Sequence, residues 1–291
     1  MPALLKILLP VEFSPGSAGA AHYVEALAGH FRSEILMLHV VATPSGVYAP
    51  PEALTYSTAQ DLVEELVVER TSQLDTFLLN ELKDYPVERI VLRGDPARQI
   101  VAVSEQHHCD LIVMATHGYG PFRRFLLGSV TAKVLHDAKC PVWTGPHLET
   151  APPRDAIHFH RVLCALDLAP HSREVLAWGA GFAREFGAEL GIVHAVPLST
   201  ARMGPIYFDP DWANAVKANA RDAIAALQAS VETKGAVFLE TGDPAAVVAD
   251  TARHFHADLV VMGRGAPGLL GRLRANSYAI LRESPCAVVG V

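Results

Sequence analysis

The densest run of chemically useful residues lies between Met114 and Thr131: Met114, Ala115, Thr116, His117, Gly118, Tyr119, Gly120, Pro121, Phe122, Arg123, Arg124, Phe125, Leu126, Leu127, Gly128, Ser129, Val130, Thr131. An apolar stretch ends, a glycine-rich loop follows, and helix-forming residues resume at Gly128 and Ser129. Glycines let a backbone come close to a phosphate. The amides in the first turn of the next helix then point at the anion, with the helix dipole behind them. Ser129 and Thr131 add hydroxyl donors, and Arg123 and Arg124 carry charge that could neutralise phosphate. A plain strand-to-helix loop with a serine cap accounts for the same residues, and a solvated loop face accounts for the arginines. The residues by themselves leave both readings open.

Other chemically suggestive patterns are weaker. Gly263, Gly265 and Gly268 spell GxGxxG. They follow the last strand pair of the chain, and too little chain remains for the βαβ unit and ribose acid of a dinucleotide fold. GxxxxGK(S/T) is absent, so a P-loop mechanism does not apply. The 14 histidines include His107 with His108, His158 with His160, and His254 with His256. Such neighbours do not share a face as metal ligands must, so they read as surface or satisfied histidines. His39 and His194 fall at equivalent strand ends and read as structural groups beside the site. No nucleophile-base-acid triad is legible, and Ser129 lies in no GxSxG elbow. The four cysteines, Cys109, Cys140, Cys164 and Cys286, form no CxxC pair and read as reduced thiols. Asp95 and Asp243 each follow a glycine and precede a proline, which suits helix caps.

The elements that must position these groups come in two sets. Lys6 to Ser17 lines up with Arg161 to Ser172, Glu34 to Val41 with Glu189 to Val196, Leu92 to Pro96 with Glu240 to Pro244, and Asp110 to Met114 with Asp258 to Met262. The matches keep one order at a nearly constant offset, which is the signature of duplication. The boundaries read as a first domain at 1–146, a Pro- and His-rich linker at 147–160 and a second domain at 161–291. Within the first half, strands are predicted at Ile7–Glu12, Ile35–Val41, Val87–Leu92, Leu111–Ala115 and Val142–Thr144. Helices are predicted from a Ser17 cap to about Phe31, over Ala59–Lys83 (with Leu62, Leu66, Leu74, Leu78 and Leu82 near helical spacing), after Asp95, and at Ser129–His136, with a loop at Thr43–Ser57. Strands alternating with helices mean a parallel sheet covered on both faces, whose ligands sit beyond the carboxyl ends of the strands.

Composition narrows the partners. Half of the 291 residues are hydrophobic and 19% are charged, enough for a real core in each half. A formal charge of −7 argues against nucleic acid as the main partner. No apolar run reaches the length of a membrane span, and the apolar start broken by Lys6 reads as a strand, giving a cytoplasmic expectation.

With these residues placed, the chain resembles the universal stress protein family. The ATP-binding members of that family read Gly-x2-Gly-x9-Gly-(Ser/Thr); the matching positions here are Ala115, Gly118 and Gly128, followed by Ser129. Pro10, Val11, Glu12, Phe13 and Ser14 resemble the family's opening Pro-x-Asp-x-Ser, whose acid contacts ribose or base. Leu38, His39 and Val40 resemble its second strand, whose last residue lies against adenine. The resemblance covers essentially the whole chain, twice. It implies an α/β fold of two tandem doubly wound five-stranded parallel-sheet domains, adenine nucleotide alpha-hydrolase-like, paired through their last strands as a pseudo-dimer. It also implies ATP or AMP as ligand, with Mg²⁺ as an accompanying ion.

The implied site takes Pro10, Val11, Glu12, Val40, Met114, Ala115, His117, Gly118, Gly128, Ser129, Val130 and Thr131 in the first domain, and Asp167, Gly263 and Ser277 in the second. Glu12 stands for the usual Asp, and Ala115 for the first glycine, where its Cβ is expected to crowd the ribose. Ala266 and Asn276 replace the later glycines of the second half, in a loop that carries Arg264, Arg272 and Arg274. The phosphate cradle is thus better kept in the first domain and the ribose end in the second. The leading expectation is a nucleotide-binding stress-response sensor or regulator acting mainly through its first domain. The alternatives are an interaction module that binds no nucleotide and a slow ATP hydrolase, and a homodimer of such chains is a further option.

Overall fold

Apolar runs that are buried on both faces make parallel strands, and here every strand but the last of each unit is followed by an α-helix. The structure, a computed structural model, describes residues 4–42, 56–116, 127–145, 148, 151–196, 210–264 and 275–291. The chain divides into two units. The first contains β1 (Lys6–Pro10), α1 (Pro15–Phe31), β2 (Glu34–Ala42), α2 (Tyr56–Thr76), β3 (Val87–Gly94), α3 (Pro96–Gln106), β4 (Leu111–Val113), α4 (Ser129–Asp137) and β5 (Val142–Thr144). Its strands lie in the order β3-β2-β1-β4-β5, and all pair in parallel, with Leu8 opposite Leu36 on one side and Ile112 on the other.

The second unit repeats this with β6 (Arg161–Ala165), α5 (Ser172–Phe186), β7 (Glu189–Val196), α6 (Pro210–Ser230), β8 (Ala236–Thr241), α7 (Pro244–Phe255), β9 (Leu259–Met262), α8 (Ala275–Glu283) and β10 (Ala287–Gly290). Its order is β8-β7-β6-β9-β10, again parallel, with Cys164 opposite Ile192 and Val261. The direction of winding reverses beside β1 and beside β6, and these switch points leave a crevice at the carboxyl edge. Each central pair is pinned at its other end by an aspartate. Asp110 Oδ2 accepts the Leu5 and Lys6 amides at 2.8 and 2.9 Å, and Asp258 Oδ2 accepts those of His160 and Arg161 at 2.7 and 2.9 Å.

Several boundaries differ from the expectations, each for a local reason. The cap of α1 is Ser14, whose Oγ accepts the Ser17 amide at 3.2 Å, because Pro15 supplies a preset first helical residue. Ser17, expected as the cap, lies inside the helix. The helix expected over Ala59–Lys83 starts at Tyr56 and stops at Thr76. There the Arg89 guanidinium takes the carbonyls of Leu74 (3.0 Å) and Phe77 (3.4 Å), and Leu78 turns left-handed at φ 56°. Leu74, Leu78 and Leu82 are buried all the same, while Leu62 is exposed. Tyr56 and Ser57 are therefore helical, and the rest of the expected loop, 43–55, lies outside the described residues. The first strand ends at Pro10, short of Glu12, and the fourth ends at Val113, short of Ala115. In the expected linker, Leu148 is buried, a 3₁₀ turn spans Arg154–Ala156, and the Arg154 guanidinium stands 5.9 Å from the Tyr85 ring centre.

Candidate functional site

The carboxyl edge of the first unit is built outward from β1. The Val11 amide donates to Leu38 O at 2.8 Å. His39 Nδ1 donates to Val11 O at 2.8 Å, and since a carbonyl only accepts, this nitrogen carries the proton. Glu12 is held by two serines: its amide donates to Ser17 Oγ at 3.1 Å, and Ser14 Oγ donates to its Oε1 at 3.1 Å. Phe13 then turns left-handed at φ 62°. Its ring packs 4.6 Å from the His39 ring and 5.2 Å from Phe77, with the Arg70 guanidinium 6.0 Å from its centre. Burial pushes the His39 imidazole below its ordinary range; the bond to Val11 opposes this, and the Arg70 charge adds to it. Val40, next on β2, is partly exposed at the same edge.

The other wall follows β4. Met114 and Thr116 are buried and Ala115 is partly exposed. The Gly128 amide donates to Thr116 O at 2.8 Å and Thr131 Oγ1 donates to Ala115 O at 3.0 Å, so the start of α4 is stitched to the end of β4. Gly128 stands at the cap position and, having no side chain, makes no side-chain cap bond to the first-turn amides. Ser129 is the first helical residue and is exposed, so the serine-cap account of this loop does not hold. Thr131 is buried, and its hydroxyl proton is spent on Ala115. Val130 is partly exposed. Beside α4, Lys133 Nζ lies 3.2 Å from Asp95 Oδ2, and Asp95 also caps α3 by accepting the Arg98 amide at 2.8 Å. That amide, and then Lys133, hold the Asp95 carboxyl below the usual range. His117, Gly118, Arg123 and Arg124 lie outside the described residues, as do Ala266, Arg272, Arg274 and the later glycines of the GxGxxG pattern.

The second unit repeats the backbone plan with different side chains. His194 Nδ1 donates to Leu166 O at 2.8 Å, and Leu168 turns at φ 60°. Asp167 Oδ1 accepts the Ala169 amide and Ser172 Oγ, both at 3.0 Å, and His171 Nε2 lies 3.5 Å away. A cavity of about 250 Å³ opens here, lined by Asp167, His171, His194, Gly263 and Ser277 among others. A Cβ on Gly263 would stand 2.6 Å from the His171 ring. The first unit has the sizes exchanged: Gly16 stands where the second has His171, and Ala115 where it has Gly263. Gly263 makes room for an imidazole, and Ala115 faces a position that has no side chain to hit.

Several contributors escaped the sequence reading: the bond of Thr116 to Gly128, His171, and the packing of the Phe13 ring against Phe77 and Arg70. Only the paired exchange at Gly16/His171 and Ala115/Gly263 left a trace, visible when the repeats are aligned on each other. Asp95 and Asp243 cap α3 and α7, as their spacing predicts. Among the described residues, no helix is long and apolar enough to cross a membrane.

Comparison with known proteins agrees with this architecture. The signature of the Universal stress protein family matches residues 4–144 and again 158–291. The universal stress protein MJ0531 of Methanocaldococcus jannaschii is 32% identical over 139 residues, 47% of this chain and 79% of that protein. A universal stress protein of Methanothermobacter thermautotrophicus is 29% identical over 146 residues, 47% of this chain and 92% of that protein. The crystal structure of a universal stress protein from Archaeoglobus fulgidus superposes with a TM-score of 0.71 at 23% identity, covering 100% of this chain and 98% of that chain, and so shares the fold. Two tandem parallel α/β domains, each matched by one family signature, make this chain a member of the Universal stress protein family.

Proposed function

We propose that the first domain binds an adenine nucleotide, ATP or AMP, at the carboxyl edge of its sheet, and that the protein acts as a sensor or regulator in the stress response of a cytoplasm. The observation that carries this reading is the junction of β4 and α4. Gly128 is tied to Thr116, caps α4 without a side chain, and leaves the first-turn amides at Ser129 and Val130 beside the switch point. In this reading Pro10, Val11, Glu12, Val40, Met114 and Ala115 border the base and ribose. Gly128, Ser129 and Val130 face the phosphates with His117 and Gly118, and Mg²⁺ accompanies a triphosphate. Thr131 contributes by holding Ala115. Asp167, Gly263 and Ser277 mark the equivalent place in the second domain, and pairing of the domains through their last strands belongs to the same proposal.

The mechanism is a binding equilibrium. A ligand shifts the protein toward whichever state it binds better, and partners read the shift. Freshly purified protein is denatured and the released small molecules are identified and counted by mass spectrometry. About one adenine nucleotide per chain is expected. Replacing Gly128 with Trp puts a large side chain into the cradle and abolishes that yield. If nothing is released, and calorimetry with ATP and Mg²⁺ is silent, the protein is an interaction module instead. Phosphate release above blank that is lost in Ser129→Ala would make it a slow hydrolase.

A further inference from the structure

The chain that leaves β5 runs along one face of α1 and groups with the first unit from Leu148 to Ile157. Gly19, His22, Glu25 and Gly29 recur every three or four residues, so they line one side of the helix. At one end, a Cβ on Gly19 would stand 1.5 Å from Leu148 O and 3.3 Å from the Ala151 Cβ. At the other, a Cβ on Gly29 would stand 3.1 Å from the Tyr85 hydroxyl and 3.4 Å from an Arg154 guanidinium nitrogen. Between the two glycines lies Glu25, only 8% exposed. Charged groups reach it from three elements: His22 on α1, Glu81 between α2 and β3, and Arg154 and Asp155 on the 3₁₀ turn. The Tyr85 hydroxyl donates to the Glu25 carbonyl at 3.1 Å. Burial pushes the Glu25 carboxyl above its ordinary range; His22 and Arg154 oppose this, and Glu81 and Asp155 add to it. With Ser172 aligned on Ser17, the matching positions of α5 are Glu174, Ala177, Ala180 and Arg184. Charged side chains replace both glycines there, and alanines replace both titratable groups. The face is therefore a property of the first domain and not of the repeated fold.

We propose that the segment from Leu148 to Ile157 is a pH-sensitive strap, docked on α1 while Glu25 holds a proton and loosened when Glu25 ionises. Docking takes this carboxyl out of water, and a neutral carboxyl loses less by that than a carboxylate does. The Arg154 guanidinium offsets part of the cost, and Asp155 on the same turn adds to it. The docked state thus binds the proton more tightly than the open state, and acid favours docking. The hold is complete below the ordinary glutamate range and is lost as the pH rises through the higher docked-state value. Acidification makes the first domain grip the chain that follows it, and the device needs no ligand in the crevice.

Hydrogen exchange of the full chain, read by mass spectrometry at pH 5 and pH 8 with labelling times scaled for intrinsic exchange, follows the strap directly. The Ala151, Ala156 and Ile157 amides donate to the Leu148, Pro153 and Arg154 carbonyls at 3.3, 2.9 and 3.0 Å, and report its opening. Protection of peptides spanning 151–157 is expected to fall about three-fold or more from pH 5 to pH 8. Peptides of β1 that carry Leu8 and Leu9 keep theirs. Glu25→Gln retains the shape and cannot ionise, so its strap is as protected at pH 8 as at pH 5. Glu25→Ala, which installs the second domain's residue, also removes the pH dependence and serves if the glutamine variant fails to fold. His22→Gln leaves the pH dependence in place. Parent protection that is flat or rises with pH, a pH dependence that persists in both Glu25 variants, or its loss in His22→Gln overturns the proposal.

Discussion

The carbonyl oxygen of Leu148 lies 1.5 Å from where a Cβ on Gly19 would stand, so the chain leaving β5 passes directly over the backbone of α1. Leu148 is buried, and further along Arg154 reaches the Tyr85 ring. Tyr85 in turn donates to Glu25 O on α1 at 3.1 Å. The segment after the first domain is therefore docked against it. Gly19→Ala cannot be accommodated without lifting that segment, because the clash is with backbone. We expect a loss of about 1–3 kcal/mol, the usual range for overpacking, together with faster tryptic cleavage after Arg154. An unchanged melting temperature with unchanged cleavage would mean that the segment is not held by this contact.

The two buttress aspartates should behave alike. Asp110 and Asp258 each accept two backbone amides at the start of a central strand, in hydrogen bonds that are partly exposed. Bonds to a charged acceptor contribute about 1.5–3 kcal/mol when shielded, and water replaces part of that here. Asp110→Ala and Asp258→Ala should each cost about 1–2 kcal/mol in urea unfolding at an unchanged m-value. Being in different units, their costs should add. A variant with no measurable loss would show that water substitutes fully for the carboxylate.

Much of this architecture was legible in the sequence because local rules and tertiary needs agree there. The Gly-Asp-Pro runs at Asp95 and Asp243 cap helices by chemistry confined to four residues. The central strands β1, β4, β6 and β9 are apolar runs because both of their faces are covered. What was hidden depends on partners far away in the chain. The end of α2 at Thr76 is set by Arg89 from β3, and nothing near residue 76 announces it. Two serines three residues apart offered alternative caps, and the choice of Ser14 follows from Pro15. The closeness of His171 to Gly263 joins the ends of two neighbouring strands, β6 and β9, that lie far apart in the chain. At the candidate site, the types and spacing of residues left a phosphate cradle and a plain strand-to-helix loop both open at Gly128 and Ser129, and did not show that Thr131 would spend its proton on Ala115.

His39 makes stability depend on pH with a determinate sign. Burial beside the Phe13 ring, with the Arg70 charge adding to it and the bond to Val11 opposing it, lowers its affinity for a proton in the folded protein. In the unfolded chain it titrates near its ordinary value of about 6.5. The unfolded state thus binds more protons as the pH falls below that value. The contribution of His39 is complete above about pH 6.5 and is lost as the pH falls toward its folded-state value. His39→Asn keeps an N–H donor for Val11 and removes the titration. Its melting temperature should fall less between pH 7.5 and 5 than that of the parent protein. An equal slope in the two proteins would place the pH dependence on other groups.

Cys164 and Gly179 form a pair in which one side chain exists only because the other is missing. A Cβ on Gly179 would stand 2.2 Å from Cys164 Sγ and 3.5 Å from the Val261 side chain, so the sulfur is the atom it would strike. Cys164 is fully buried, and burial pushes its thiol up to about 12. The thiolate is the reactive form, so at pH 8 a disulfide reagent should leave Cys164 untouched in the native protein and modify it only on unfolding. Gly179→Ala should destabilise by about 1–3 kcal/mol through overpacking. Cys164→Ala should cost less, by opening a small void. If the contact is the whole cause, the double variant should recover most of the loss, because alanine at 164 removes the atom that alanine at 179 would strike. A double variant whose cost is the sum of the two single costs would show that the helix backbone around Gly179, and not the sulfur, is what demands glycine.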